Sequence, residues 1–258
     1  MILKQFTAPT KEPIHLTEAK IHLRAGGAVS EAAALLYTAE DNNIAACVAA
    51  GRNAAETAQW RALVLQTWDM YLDCFPGGNS IELPLPPLRA VSGIWYTDSS
   101  GDITEFTEYS VDLSSERGRI VLDYESYWPT ITLGPNNPVH IRFKCGYLVP
   151  FTISGSVTTI SDTDMFGVGD KVRLSVSGGN LPTGLSTFTD YYITATGLSL
   201  TDGGTVVTAA GDGTGTYFMG ELPNSTRVGM LLVITDIYEE HASNSADHWL
   251  SMDAVKRY

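Results

Sequence analysis

The composition of the chain breaks sharply at two points, and this limits what it can fold into more than any single motif does. Between Phe151 and Gly220 it is rich in glycine and threonine, with 13 of the 24 glycines and only 8 charges, 6 acidic and 2 basic. From Met1 to Pro150, and again from Glu221, alanine, leucine, tryptophan and charged residues dominate. A segment of foreign composition between two similar flanks predicts an inserted domain. Its ends must lie close together, because the host resumes at Leu222. The 258 residues suffice for one large or two modest domains at about 100–200 residues each. A chain of that length buries about 70–75% of its unfolded surface and needs no disulfide or metal to hold a core.

The flanks carry helix signals at both ends. Thr17 is the predicted N-cap of a helix over Glu18 to Arg24, with Leu16 and Ile21 as a hydrophobic staple and Gly26-Gly27 as its stop. Ser30 is a second N-cap. Leu35, Leu36, Ala39, Cys47, Ala50, Ala54 and Ala58 then recur at helical spacing up to Trp60, opposite a polar face of Glu31, Asp41, Arg52, Asn53 and Glu56. So many alanines allow close helix–helix approach, within a bundle or against a neighbouring subunit. At the far end Pro223 opens a helix whose stripe is Val228, Leu231, Leu232, Thr235 and Tyr238.

Between these helices the period changes to two. Strands are predicted over Val64 to Phe75, Ser80 to Leu85, Ala90 to Thr97, Glu108 to Leu113, Arg119 to Tyr124 and Val139 to Lys144. The insert adds Val157 to Ile160, Lys171 to Val176, Tyr191 to Ala195, Thr205 to Thr208 and Thr216 to Met219. The predicted class is α+β: N-terminal helices, an antiparallel β portion and a C-terminal helix, with an inserted all-β barrel or sandwich. The host core spans 1–150 and 221–243, the insert 151–220, and a tail 244–258.

Charge and cysteine usage restrict the function classes. With 29 acidic and 16 basic residues the formal charge is −13, which disfavours wrapping around DNA but not DNA passing through a negative channel. Cys47, Cys74 and Cys145 form no C-x-x-C pair, so a reducing compartment is expected. The start does not read as a signal peptide. The most apolar stretch, Val228 to Thr235, is 8 residues, against about 20 for a bilayer span.

Catalytic patterns are absent: no G-x-x-x-x-G-K-[ST], no G-x-S-x-G, no H-E-x-x-H. His15, His22, His140, His241 and His248 are scattered and read as structural. Asp162-x-Asp164 with Gly167 fails as a calcium loop, because Phe166 and Arg173 stand where oxygen ligands belong. No enzyme, metal or cofactor is expected. Glu239-Glu240 reads as a solvated helix end or an acidic surface. The tail's Trp249, Leu250, Met252, Val255 and Tyr258 either fold back on their own domain or anchor in a partner groove. Phe188, Tyr191, Tyr192 and Tyr217 of the insert read as alternating core residues, or as a stacking face.

The strings "EPIHLTEAKIHLR", "LQTWDMYLDCFP", "IELPLPPLRAVSGIWY", "GRIVLDYESYWP", "VHIRFKCGY" and "LPNSTRVGMLLVITDIYEEH" occur in this order. Together they resemble the phage head–tail connector (adaptor, head-completion) family of long-tailed double-stranded DNA phages. The family passes from its "GY" pair to its "LP" helix start in a short loop. Here some 75 residues separate Gly146-Tyr147 from Leu222-Pro223, where composition already places the insert. The resemblance implies a non-enzymatic virion protein, assembled in the host cytoplasm into a homo-oligomeric ring, a dodecamer, beneath the portal. That ring extends the DNA channel in the neck, without sequence-specific binding, and carries the next neck or tail-completion protein. On this reading Trp249, Leu250, Met252, Val255 and Tyr258 are portal or neighbour anchors. Glu18, Glu31, Asp41 and Glu56 form a channel-facing or intersubunit acidic face. The alternative is a virion binding module whose β insert contacts capsid or host surface glycan.

Overall fold

The computed structural model describes residues 1–115, 117–154, 157–160, 166–187, 189–209 and 213–243. The fold is α+β. Two compact units divide it: Met1–Thr10 with Trp60–Tyr147, and Lys11–Gln59 with the chain from Leu148 onward.

The first unit is antiparallel β. Its strands are β1 (Ile2–Thr7), β2 (Gln66–Leu72), β3 (Ser80–Glu82), β4 (Leu88–Thr97), β5 (Ile103–Phe106), β6 (Tyr109–Asp112), β7 (Arg119–Leu122) and β8 (Val139–Cys145). One sheet has the order β1-β2-β8-β4-β5, the other β3-β7-β6. On β8 the side chains alternate between faces, as a strand requires. Val139, Ile141, Phe143 and Cys145 are buried, while His140, Arg142 and Lys144 are half-exposed on the other face. The inward residues join Met70, Ile94, Ile120 and Trp128 in one core. Phe75 stacks on Trp128 at 5.1 Å between ring centroids, and Trp128 Nε1 donates to Gly78 O at 2.7 Å.

The second unit holds the helices α1 (Leu16–Leu23), α2 (Glu31–Leu36), α3 (Asp41–Gln59) and α4 (Asn224–Ser243). It also holds β9 (Val149–Ser154), β10 (Val157–Ile160), β11 (Lys171–Ser177), β12 (Asp190–Thr194), β13 (Gly197–Ser199) and β14 (Thr216–Met219). These strands form a sheet of order β10-β9-β14-β11-β12-β13. Its two end strands approach each other, so the sheet curls towards a barrel. The strands from the segment expected as an insert thus lie in the same unit as the four helices.

Several local readings are corrected. The N-cap of α1 is His15, whose Nδ1 accepts from Thr17 N at 3.2 Å; Thr17 lies in the first turn. Ser30 does cap α2, accepting from Ala33 N at 3.3 Å. The helical run to Trp60 breaks after Leu36 and restarts at Asp41. Across that break the phase resets, and the buried positions become Ala34, Ile44, Cys47, Val48, Gly51 and Arg52, leaving Leu35 and Leu36 exposed. On α4 the buried ridge is Thr226, Met230 and Ile234, and Val228 and Leu232 of the predicted stripe are exposed. Apolar residues surround α4 from Val228 to Ile234, so spacing alone does not select a face; the buried ridge is the one packed on α3, where the lack of a side chain leaves a cleft for Ile234. The strand expected over Thr205 to Thr208 is a single bridge between Ser199 and Val206. Strands β1, β5, β9 and β13 were not anticipated.

That cleft is at Gly51. A Cβ there would come within 2.7 Å of Ile234 Cγ1. Gly51→Val is therefore expected to lose about 1–3 kcal/mol through overpacking, read as a lower urea midpoint.

Candidate functional site

The four acidic residues singled out from the sequence all lie in the second unit, and each is engaged within its own subunit. Glu18 opens α1, where negative charge suits the helix dipole. Its Oε1 accepts from Arg227 Nη2 of α4 at 2.6 Å, and its Oε2 from Ser177 Oγ of β11 at 2.6 Å. Ser177 Oγ also accepts from His15 N at 2.5 Å. At the neighbouring Gly178 a Cβ would strike the His15 ring at 2.1 Å, so only glycine lets strand and cap meet. One carboxylate thus fastens α1, β11 and α4. Glu31 Oε1 accepts from Thr214 Oγ1 at 3.2 Å.

Asp41 pairs with Lys20, which is 4% exposed. The Lys20 Nζ also donates to Ala34 O at 3.2 Å and Tyr37 O at 2.6 Å. Carbonyls at a helix C-terminus lack intrahelical partners. The ammonium supplies them at the end of α2 and meets the first residue of α3 from the other side. Beside it, Glu40 accepts from Tyr37 Oη at 2.8 Å and from Tyr238 Oη of α4 at 2.7 Å. That hydrogen bond, with some burial, pushes the Tyr238 phenol up to about 12. Glu56 binds Arg52 Nη1 at 2.8 Å, and Glu12 binds Arg52 Nε at 2.8 Å. Burial works against the Arg52 charge, but the two carboxylates outweigh it and raise the guanidinium above its ordinary value.

These acids therefore serve as internal fasteners. Alongside polar residues the helices leave some large apolar ones uncovered: Leu35 and Leu36 of α2 are 61% and 86% exposed, and Val228 and Leu232 of α4 are 55% and 61% exposed. Exposed apolar clusters mark contact sites. The sequence signal for them is an apolar residue outside the phase that the buried ridge defines.

In the first unit a polar group sits on the outer face of the five-stranded sheet. Buried Asp69 accepts from Arg142 Nε at 2.7 Å and Nη2 at 2.9 Å, with His140 Nε2 at 3.0 Å. Burial pushes the Asp69 carboxyl up, yet the hydrogen bonds from Arg142 and the close His140 imidazole prevail and hold it below the ordinary carboxylate range. His140 lies between the rings of Tyr71 and Trp95, at 4.8 and 5.2 Å. Phe6 covers Arg142 with its ring centroid 3.5 Å from Cζ. A catalytic histidine needs a nucleophile or substrate proton within reach. The partners of this imidazole are a carboxylate and two rings, and they tie β2, β8 and β4 together.

A cleft of about 300 Å³ in the second unit is lined by Arg173, Ser175, Phe218, Glu221, Leu222 and Arg227, among others. Its cations are already partnered, Arg173 by Asp190 at 2.9 Å and Arg227 by Glu18. Among the described residues no group of three or more His, Cys, Asp or Glu is placed to hold a metal ion. No described helix is long and apolar enough to cross a membrane. Of the insert aromatics, Tyr191 is 2% exposed, and its Oη accepts from Ser186 N at 2.9 Å. Tyr217 lies 5.8 Å from Phe151, ring to ring. Trp249, Leu250, Met252, Val255 and Tyr258 lie outside the described residues, as do Phe188, Asp162 and Asp164.

No protein-family model matches the chain, and no curated protein matches it. Three solved structures are similar to it over 57% of its length. A chain in the neck of an empty gene transfer agent particle is 24% identical, with TM-score 0.48 and 72% of that chain covered. A chain in the virion of the native gene transfer agent particle is 23% identical, with TM-score 0.46 and 72% covered. A chain in the neck of the native particle is 22% identical, with TM-score 0.40 and 70% covered.

Two outcomes follow from the buried network. Lys20→Met strands Asp41 and two carbonyls, and thermal unfolding should show a loss of about 3 kcal/mol. Tyr238→Phe should lose about 1 kcal/mol at neutral pH. Because the folded phenol sits above its unfolded value, this contribution is complete below pH 10 and is lost as pH rises towards 12. The wild type and the variant should therefore converge in stability over that range.

Proposed function

We propose that the chain is a non-enzymatic structural subunit of a phage neck, a head–tail adaptor that forms a ring beneath the portal. The ring extends the DNA channel and gives the next neck or tail-completion protein its platform. The observation that carries this reading is where the connector-like strings fall. They supply α1, the three central strands β2, β8 and β4 of the five-stranded sheet, β3 and β7, and α4. The resemblance thus follows the framework of both units rather than scattered loops.

The exposed Leu35, Leu36, Val228 and Leu232 support an assembling subunit, since apolar side chains left open on one subunit are available to bury against another. A head-to-tail contact with a closing rotation makes a ring, here of twelve copies. The net charge of −13 suits a lumen through which DNA slides without sticking. With Glu18, Asp41 and Glu56 paired to cations of their own subunit, their part in such a lumen is to hold the helices that line it. The tail from residue 244, with Trp249, Leu250, Met252, Val255 and Tyr258, is the proposed portal anchor.

Native mass spectrometry of the full chain, alone and mixed with its portal, tests the reading. A closed oligomer or a stoichiometric portal complex is expected, and truncation after Ser243 should keep the fold and lose the portal. A monomer indifferent to its portal would overturn the adaptor function.

A further inference from the structure

Among the described residues the five-stranded sheet has two open edges, β1 and β5. Each edge strand presents backbone donors and acceptors to a further strand, a hazard that most proteins suppress. Here the two edges complement each other. The cross-strand partners place Ile2 and Lys4 of β1 on the outer face with Tyr71 and Asp69. They place Ile103 and Glu105 of β5 on that same face with Thr97 and Trp95. All four edge residues are exposed, and Ile2 and Ile103 are 52% and 72% so.

Direction selects how such edges can meet. Every neighbouring pair in the sheet is antiparallel, so β1 and β5, four steps apart, run the same way. Rotation by a small angle about a ring axis keeps that direction from one copy to the next. Hence β5 of one copy meets β1 of its neighbour in parallel. In parallel alignment Lys4 stands opposite Glu105 while Ile2 stands opposite Ile103. Both pairs are favourable cross-strand combinations. This register is offset by two residues from the straight row Ile2, Tyr71, His140, Trp95 and Glu105 that crosses the sheet. Closing a sheet on itself requires such a stagger.

We propose that copies of this chain join laterally by edge-to-edge sheet addition. Strand β5 of one copy pairs in parallel with β1 of the next, in the register Lys4–Glu105 and Ile2–Ile103. This rests on the ring reading and names its lateral contact. Lys4 acts as a register key: it repels a second β1 edge, which carries the same lysine, and attracts β5. The contact is therefore head-to-tail, and a two-fold dimer through β1 is disfavoured.

Charge exchange and cross-linking in the full chain test it. Lys4→Glu and Glu105→Lys should each weaken self-association about tenfold per contact, and the double variant should restore it. Circular dichroism should show each variant folded. In a Cys74→Ser background, Ile2→Cys with Ile103→Cys should give a ladder of disulfide-linked oligomers on mild oxidation, because opposed strand residues fall within disulfide reach. Either single cysteine should stop at dimers. A double-cysteine chain without a ladder, or charge reversals that the double variant does not rescue, overturns the edge contact. If the wild type still forms a closed oligomer, only the edge contact fails. If it stays monomeric with its portal as well, the adaptor reading fails too.

Discussion

The buried ammonium of Lys20 is the point on which the helical part of the molecule turns. It reaches from α1 to the last carbonyls of α2 and to Asp41 at the start of α3. A short helix of 6 residues has little stability of its own, because nucleation outweighs the few bonds it closes. The cation gives α2 its C-terminal partners and sets the angle at which the chain turns into α3. From there Glu40 carries the network to Tyr238, so that the N-terminal and C-terminal helices are joined by hydrogen bonds as well as by the Gly51 contact. A buried charge of this kind is costly unless every donor is used. Lys20 uses its donors on two carbonyls and a carboxylate.

The first unit is organised by a different device. Its core is an alternation of branched and aromatic side chains, but its outer face is bound together by Asp69, whose carboxylate joins β2 to two residues of β8. The rings of Tyr71, His140 and Trp95 continue that line across three strands. A sheet held on both faces keeps its register to the edges. An edge pairing between copies would need that property.

Charged residues of this chain serve different ends. Glu12, Glu18, Asp41 and Glu56 are consumed in holding helices together. Glu105 and Lys4 stand on opposite open edges of one sheet. The first group stabilises a subunit, and the second distinguishes one neighbour from another. Solvent-facing charges contribute little energy singly, yet they discriminate among registers and partners.

Much of the fold was legible because its signals are local. The Ser30 cap, the two-residue alternation of β8 and the glycine-rich change at Phe151 depend only on neighbouring residues, and they gave the α+β class and most strands. The individual faces were not local. Leu35 and Leu36 fit a helical period, but a four-residue break resets the phase, so they stay outside while Ala34 goes in. Val228 and Leu232 fit as well as Met230 and Ile234 do, and the packing of α4 on α3, with Ile234 seated against Gly51, goes with burial of the second pair. Likewise, Glu18, Asp41 and Glu56 were recognisable as acids on helices. Arg52 lies one helical turn before Glu56, a local spacing, but the cations for Asp41 and Glu18 depended on Lys20 and on Arg227, the latter 209 residues from Glu18. Composition and period determine which elements form, because those are energies of near neighbours. Which face is buried, and which charge meets a partner on another element, were decided by long-range packing, which no local spacing encodes.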